Sequence, residues 1–363
     1  MPRILFVAAH RPDRSPSQRY RFEQFAPYWE QHGFTHHYAW LIDAEDDKKF
    51  YSPGNLMAKA RIFLKSWRRR REHVRMAKDF DLIIVQREAF MTGSTRFERA
   101  LKASGVPFIF DFDDAIWNMD VSDGNKRLRW LKDPAKTTRI IAMADLIIGG
   151  NEYLADHARR YNTWVEVIPT VIDTERYVPV KSEKAGPIII GWTGSHTSMT
   201  HLVQVLPMLR AVQAQWGDRV RFRIISDRQL VDPGLDIENI PWNSATEAED
   251  LAAIDIGIMP MPDDKWSRGK CGFKGLQCMA LGKAVVLSRV GVNRTIVQDG
   301  VNGLLADGQE EWIMKLGQLI GDADLRERSG KAARTTVEQH YSVHAWRDRY
   351  LDLFHTLIAR KRN

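Results

Sequence analysis

The chain alternates short apolar runs with longer segments in which apolar and polar residues mix. In the first half, four nearly continuous apolar runs predict strands buried on both faces, at residues 4–9, 82–86, 108–112 and 146–149. Mixed segments with helical spacing lie between them, at residues 17–32, 58–78 and 95–104. This order is typical of a parallel sheet covered by helices.

The same alternation begins again after a largely polar stretch at residues 170–187, which predicts a linker. Four more buried strands are predicted at residues 188–192, 221–226, 254–259 and 284–288. Helices are predicted at residues 197–215, 272–282, 310–320, 325–340 and 344–361. For a chain of 363 residues we therefore expect two α/β domains, at residues 1–170 and 171–342, followed by a last helix at 343–363.

Composition indicates the cellular compartment in which we expect the protein. Hydrophobic residues make up 44% and charged residues 27%, as in soluble globular proteins. No apolar run approaches the roughly 18 residues that a membrane-spanning helix needs, and the first residues lack the pattern of an export signal. The two cysteines cannot form a disulfide framework. We therefore expect a protein of the reducing cytoplasm.

The net charge of +7 is concentrated in one segment. Residues 59–78 hold nine Lys or Arg against the single acid Glu72, a balance of +8, so the other 343 residues sum to −1. This distribution argues against a nucleic-acid-binding protein and favours one local anionic partner.

On a helix, four apolar side chains of this segment share a stripe that Arg71 interrupts: Ala60, Leu64, Trp67 and Val74. The segment is either the solvated face of a core-packed helix or an amphipathic helix that binds an anionic membrane surface. In the second case the residues that contact the membrane are Lys65, Trp67, Arg68, Arg69, Arg70 and Arg71.

A candidate anion site lies in the second half. Gly269 and Gly272 precede a short predicted helix whose first turn carries Lys274, and two further cations, Arg268 and Lys270, lie just upstream. Free backbone N–H groups at a helix start, together with three cations, suit a phosphate or a diphosphate. A solvated turn before a surface helix is the alternative.

Residues 274–286 also resemble a known family segment, Lys-x-x-Glu-Tyr-Met-Ala-x-Gly-x-Pro-Val-Val, of retaining glycosyltransferases with the GT-B fold, family 4 or group 1. Four further segments are similar to motifs of that family in order and spacing, at residues 144–154, 167–179, 255–260 and 290–305. The resemblance covers most of the chain and is best from 144 to 306.

The resemblance implies two Rossmann-like domains that face a cleft, with the C-terminal helix crossing back to the first domain. It implies that the second domain binds a nucleotide-diphosphate sugar, that the first binds a glycan or lipid-linked acceptor, and that neither a metal nor another cofactor is needed. With the basic helix, it suggests a peripheral enzyme on the inner face of the membrane in polysaccharide or glycolipid synthesis. The oligomeric state stays open.

On the donor side, the chain departs from the family at two positions. Gln277 stands where the family has the Glu that binds the ribose, and Gly269 stands where it has the sugar-contacting Glu. The loop at residues 191–198 still offers backbone N–H groups to a phosphate, or is only a tight strand–helix turn. The predicted donor-binding residues are Gly191, Thr193, Gly194, Ser195, Arg268, Lys270, Gly272, Phe273, Lys274 and Gln277.

On the acceptor side, Asp111, Asp113 and Asp114 end a predicted strand. Asp113 or Asp114 is expected to orient or deprotonate the acceptor hydroxyl, with Lys274 as the third catalytic residue, unless the carboxylates only cap a turn. Arg19, Arg21 and Asp111 are the further acceptor-side candidates, although the arginines would equally suit an exposed surface.

Two other functions stay open on these residues. A binding or scaffold protein could keep the fold and lose the chemistry, which the missing acidic pair would explain. An epimerase of similar fold would convert a free nucleotide sugar without an acceptor. The histidines, among them His196 and His201, lack metal-ligand spacing and are interpreted as surface or packing residues.

Overall fold

The computed structural model describes residues 1–52, 54–118, 133–180 and 186–362. The chain divides into two compact units. Unit 1 comprises Met1–Pro169 and Trp346–Asn363, and unit 2 comprises Thr170–Ala345. Each unit is built on its own parallel sheet.

The sheet of unit 1 has the order β2-β1-β3-β4-β5-β6, and every neighbouring pair is parallel. Its strands are β1 (Arg3–Val7), β2 (Thr35–Ala39), β3 (Leu82–Gln86), β4 (Phe108–Phe112), β5 (Leu146–Gly149) and β6 (Val165–Val167). The four strands expected from the apolar runs are present. The edge strands β2 and β6 were not predicted, because they are partly exposed and lack a continuous apolar run.

The helices of unit 1 that precede β6 are α1 (Pro16–Arg21), α2 (Ala26–Gln31), α3 (Ala44–Tyr51), α4 (Leu56–Met76), α5 (Arg96–Lys102), α6 (Ala135–Met143) and α7 (Glu152–Arg159). The single helix predicted at residues 17–32 is in fact α1 and α2, separated by a short 3-10 turn at Glu23–Phe25. Phe22, which precedes this turn, has a non-helical backbone and lets its ring stack on Phe6 with centroids 4.5 Å apart.

Unit 2 has the sheet order β12-β11-β10-β7-β8-β9, again parallel throughout. Its strands are β7 (Ile188–Thr193), β8 (Val220–Ser226), β9 (Ile237–Pro241), β10 (Ile256–Met259), β11 (Ala284–Ser288) and β12 (Leu304–Ala306). Its helices are α8 (His196–Gln204), α9 (Leu206–Trp216), α10 (Glu247–Ala252), α11 (Phe273–Ala280), α12 (Asn293–Ile296), α13 (Gly308–Gly321) and α14 (Ala323–His340).

The helix predicted at residues 197–215 is also divided, at Val205. Pro207 lies in the first turn of α9, a position that does not need a backbone N–H. Because proline cannot donate a hydrogen bond to the preceding turn, α8 cannot continue through it.

The last helix, α15 (Val343–Arg362), packs on unit 1 from Trp346 onwards. The Tyr350 hydroxyl donates to the backbone oxygen of Arg21 at 3.0 Å, and the Tyr350 ring lies 4.7 Å from that of Phe25. The chain therefore returns to its first unit after completing the second. In the described part of the chain, no helix is both long and apolar enough to cross a membrane.

Candidate functional site

The sheet of unit 2 changes its direction of growth between β7 and β10. Strands β8 and β9 extend it on one side of β7, whereas β10, β11 and β12 extend it on the other. Ligands of open α/β sheets bind outside the carboxyl ends of the strands at such a reversal, because the two flanking loops diverge there. The flanking loops here are residues 194–195 and 260–272.

The loop after β7 is shaped around one glycine. The Gly194 N–H donates to Ile225 O at 3.0 Å and so extends the pairing of β7 with β8. A Cβ atom at position 194 would lie 2.4 Å from Lys274 Nζ and 2.6 Å from Ser198 Oγ. A side chain at this position would therefore displace the ammonium group or the Ser198 hydroxyl. Ser195 follows as the N-cap residue of α8, with its Oγ 2.8 Å from Thr197 Oγ1.

Lys274, in the first turn of α11, is the central cation of this edge. Its Nζ donates to Ser198 Oγ at 2.8 Å and lies 4.5 Å from the centre of the Trp192 ring. Among the residues that the structure describes, no carboxylate forms an ion pair with it. Burial, and secondly Lys270, lower the pKa of Lys274 to about 7. A bound anion would raise this pKa again, so the position favours an anionic ligand.

The cations upstream of α11 have partners of their own. Arg268 is half exposed and forms a two-point ion pair with Asp263, at 2.6 and 3.1 Å. The Lys270 ammonium lies 4.7 Å from the centre of the Trp266 ring. Lys274 is thus better placed than Arg268 to receive a ligand charge.

Gly272 begins α11 with φ of 67°, and a Cβ there would lie 2.4 Å from Ile296 Cδ1. Both facts require glycine. The next residue, Phe273, is partly buried. This turn leaves the first N–H groups of α11 directed away from the helix, where they suit an anion.

Three predicted donor residues lie inside unit 2 rather than at its edge. Gly191 is explained by packing, since a Cβ there would come within 2.0 Å of Ile254; this corrects its prediction as a phosphate contact. Thr193 is buried in β7. Gln277 is 1% exposed and donates through Nε2 to the Tyr177 hydroxyl at 2.9 Å, so a ribose contact would require it to leave that bond.

Unit 1 has the corresponding reversal between β1 and β3. Arg87, the first residue after β3, has a left-handed φ of 63° and donates from Nε to Asp113 Oδ1 at 3.0 Å. The same guanidinium pairs with Asp114, and Ser17 Oγ donates to Asp113 Oδ2 at 2.5 Å. Burial would raise the pKa of Asp113, but Arg87 and Ser17 lower it below its usual value. The carboxylate is therefore ionised, and it can accept a hydrogen bond from a hydroxyl.

The structure contradicts the acceptor-side role of Arg21 and Asp111. Arg21 is 1% and Asp111 3% exposed, and they form a buried ion pair at 2.5 Å. Arg21 also donates to Ile168 O at 2.5 Å. The sequence pattern did not show this pairing, because the partners are ninety positions apart. Arg19 is 5% exposed and pairs with Asp13 at 3.0 Å.

Helix α4 buries a different face from the one that its apolar stripe predicts. Leu64 is 56% exposed, and the buried positions are Lys59, Ile62, Ser66, Arg70 and His73. The prediction that Arg70 contacts a membrane is wrong. Its guanidinium is fully buried and donates to Ala8 O, Ala39 O and Ala89 O at 2.7–2.8 Å.

The other predicted membrane residues are divided between ion pairs and the outer surface. Lys65 pairs with Asp43 and Asp46, and Arg69 pairs with Asp43. Arg68 and Arg71 are exposed, and Arg71 lies over the partly buried Trp67 ring. The outer face also carries other exposed residues, namely Leu56, Met57, Arg61, Leu64 and Arg75.

Two residues at these sheet edges were missed by sequence reasoning. Arg87 holds both predicted catalytic carboxylates. His10 follows β1; burial, and secondly Arg14, lower its pKa to about 4, and its enclosed Nδ1 has no hydrogen-bond partner among the described residues. Arg87 directly follows β3 and His10 lies three positions after β1, and this position at the carboxyl ends of buried strands is the signal that could have identified them. No group of three potential metal ligands is present in the described ranges.

The profile "Glycosyl transferases group 1" matches residues 187–322, which lie within unit 2. A D-inositol 3-phosphate glycosyltransferase from Corynebacterium urealyticum is 33% identical over 96 residues, which are 26% of this chain and 20% of that protein. Another, from Geodermatophilus obscurus, is 23% identical over 203 residues, 47% of this chain and 44% of that protein. The chain thus matches less than half the length of these curated relatives.

Two solved structures match nearly the whole chain. Sucrose-phosphate synthase from Thermosynechococcus elongatus matches with a TM-score of 0.71 at 13% identity, and the match covers 99% of this chain and 100% of that chain. Anabaena HepE, solved in complex with UDP and glucose, matches with a TM-score of 0.70 at 14% identity, and the match covers 98% of this chain and 100% of that chain. Together with the two parallel sheets and the last helix that returns to unit 1, these matches show that the chain has the GT-B fold, and that residues 187–322 within it are similar to group 1 glycosyltransferases.

Proposed function

We propose that the protein transfers a sugar from a nucleotide-diphosphate sugar to an acceptor hydroxyl, and that the donor diphosphate binds at the reversal of the unit 2 sheet. The observation that carries this proposal is Lys274. This lysine contacts Ser198 and the Trp192 ring and has no carboxylate partner in the described part of the chain. Its ammonium group is therefore suited to bind an anionic ligand. Solved neighbours that contain UDP or UDP-glucose support a donor of this class.

In this mechanism the chain's own residues stabilise the leaving diphosphate. Lys274 and the start of α11, where the positive end of the helix dipole lies, are proposed to stabilise the charge that develops as the glycosidic bond breaks. No metal is required in the proposal, because these groups supply the positive charge. We propose retention of configuration, with the acceptor attacking from the face that the diphosphate leaves.

Asp113 and Asp114 are proposed to orient the acceptor hydroxyl in unit 1. Arg87 pairs with both carboxylates and keeps that of Asp113 ionised, so they suit hydrogen bonding to the hydroxyl better than complete removal of its proton.

A screen for donor binding and turnover tests the proposal. UDP-, GDP-, ADP- and dTDP-sugars are added separately, and thermal stabilisation and slow donor hydrolysis are measured. We expect one base to stabilise the protein and its sugar nucleotide to be hydrolysed, with both effects lost in Lys274→Ala. Binding without any hydrolysis or transfer would favour a scaffold, and conversion of the free donor to its epimer would favour an epimerase.

We further propose that the outer face of α4 binds an anionic membrane that carries a lipid-linked glycan acceptor. Exposed arginines at positions 61, 68, 71 and 75 lie on the same helix as the exposed Leu56, Met57 and Leu64. Each basic residue near an anionic surface contributes roughly 1 kcal/mol, so four give a nominal ~4 kcal/mol before screening.

Vesicle co-sedimentation tests the membrane proposal. Changing Arg61, Arg68, Arg71 and Arg75 to Gln is expected to reduce binding to anionic vesicles sharply, with no effect on neutral vesicles or on donor affinity. A control variant removes the same charge from exposed positions of unit 2, namely Arg219, Arg228, Arg328 and Lys331. Equal sedimentation of the two variants would refute a specific role for α4.

A further inference from the structure

One histidine of unit 2 is fixed by a carboxylate at the same sheet edge as Lys274. Asp227, just beyond the end of β8, accepts from the His196 backbone N–H at 2.6 Å and lies 2.7 Å from His196 Nδ1. The contact to the backbone and the contact to the ring use different oxygens of one carboxylate. This two-point contact places the proton on Nδ1 and leaves Nε2 free to face outward, since the side chain is nearly half exposed.

His196 and Lys274 flank one short loop. Ser195 O accepts from Ser198 Oγ at 3.0 Å, and the same Oγ accepts from Lys274. His196 lies between these two serines in sequence, on the β8 side of the loop, whereas Lys274 approaches from α11. An anion on the loop at residues 194–195 would therefore have a potential cation on each side.

We propose that His196, held by Asp227, is a second cationic donor to the diphosphate, and that donor binding therefore takes up a proton at this imidazole. The proposal rests on the function proposed above. On binding, Nε2 receives one proton from solvent and donates it as a hydrogen bond to a phosphate oxygen; no other bond forms or breaks. Asp227 compensates the imidazolium charge and fixes the ring.

The surrounding charges make this arrangement proton-dependent. Lys274 on α11 and Lys270 in the loop before it contribute positive charge, His201 on α8 is a further titratable group, and Asp227 and Asp264 are the nearby carboxylates. Without an anion, burial and then Lys274 and Lys270 lower the pKa of His201. A bound diphosphate would add negative charge at the loop and so favour protonation of both His196 and Lys274.

The experiment is calorimetric titration with UDP, and in parallel GDP, ADP and dTDP, at pH 7.5, 8.0 and 8.5. Each titration is repeated in buffers with different heats of ionisation, so that the heat yields the number of protons taken up per nucleotide. For each group that is neutral when free and charged when bound, Kd rises up to tenfold per pH unit. We expect His196→Gln to lower proton uptake by up to one and to flatten the rise of Kd accordingly.

Two further variants separate this role from simple support of α8. His196→Lys restores a charge that stays protonated over this range, so affinity should recover while the pH dependence stays flat. His344→Gln, an exposed histidine of unit 2, is the matched control and should behave as the wild type.

Equal proton uptake and equal Kd in the wild type and His196→Gln would overturn the role of His196 and leave the donor site standing. A wild type that binds none of the four nucleotides would overturn the donor site itself, and the inference with it.

Discussion

Replacing Lys274 by Met should make the protein more stable and its donor binding weaker. The methionine side chain retains the contact with the Trp192 ring but removes a charge that is held without a carboxylate partner in the described chain. The lowering of the Lys274 pKa from 10.5 to about 7 sets an upper limit of about 5 kcal/mol on the cost of that charge. Because the side chain keeps some contact with solvent, we expect a gain of about 1–3 kcal/mol.

The pH dependence of the gain follows from the direction of the pKa change. Below pH 7 the lysine is protonated in both the folded and the unfolded chain, so the folded protein bears the full cost. Between pH 7 and 10.5 the unfolded chain stays protonated while the folded one does not, so wild-type stability rises with pH. The advantage of Met should therefore be largest at pH 6 and fall by more than half by pH 9.

Urea unfolding at pH 6, 7.5 and 9 measures this difference, with the exposed Lys331→Met as the control, expected within about 0.5 kcal/mol of wild type at each pH. Loss of one charged hydrogen bond should weaken nucleotide-diphosphate binding by roughly 10- to 100-fold. A variant that is less stable than wild type at pH 6, or whose stability difference is independent of pH, would refute the electrostatic reasoning.

Other consequences can be measured directly. Gly194→Ala should raise the donor Kd more than tenfold with an unchanged circular dichroism spectrum, because its Cβ would collide with Lys274; an unchanged Kd would move the site elsewhere. Arg70→Met should lower the free energy of unfolding by about 3 kcal/mol or more in urea, since three buried carbonyls lose their donor, whereas Arg71→Gln should change it by under about 0.5 kcal/mol. Gln277→Glu should lower the melting temperature, because it places a carboxylate in a buried contact with Tyr177; a raised value would contradict this. Sugar transfer should survive EDTA, and an EDTA-treated enzyme that needs Mn²⁺ to recover would contradict the metal-free proposal.

The strands of the core were predictable because burial on both faces leaves a continuous apolar run. β4 and β11 are buried at every position, and both were expected at their observed bounds. β2 and β9 were not expected, since their exposed positions interrupt the run. An edge strand is held by hydrogen bonds to a single neighbouring strand, and its own residues need not form a continuous apolar run.

The candidate site was predictable only where the chain is locally informative. Lys274 could be singled out because a glycine turn and a helix start adjoin it in sequence. The roles of Arg87 and Asp227 depend on partners 26 to 31 positions away, brought close by parallel strands. The burial of Arg70 could not be predicted, because its guanidinium is held by three backbone oxygens, and the sequence pattern does not show where backbone oxygens lie.

The contacts of Arg70 also bear on how unit 1 opens. The three carbonyls that it holds belong to the chain just after β1, to the last residue of β2 and to the loop after β3. Detaching α4 therefore releases three segments at once, and the amide protons of these segments should exchange with solvent as one cooperative group. Such a detachment would also increase local opening at His10, two positions after Ala8, and at Arg87, two positions before Ala89, without any shift in the strands themselves.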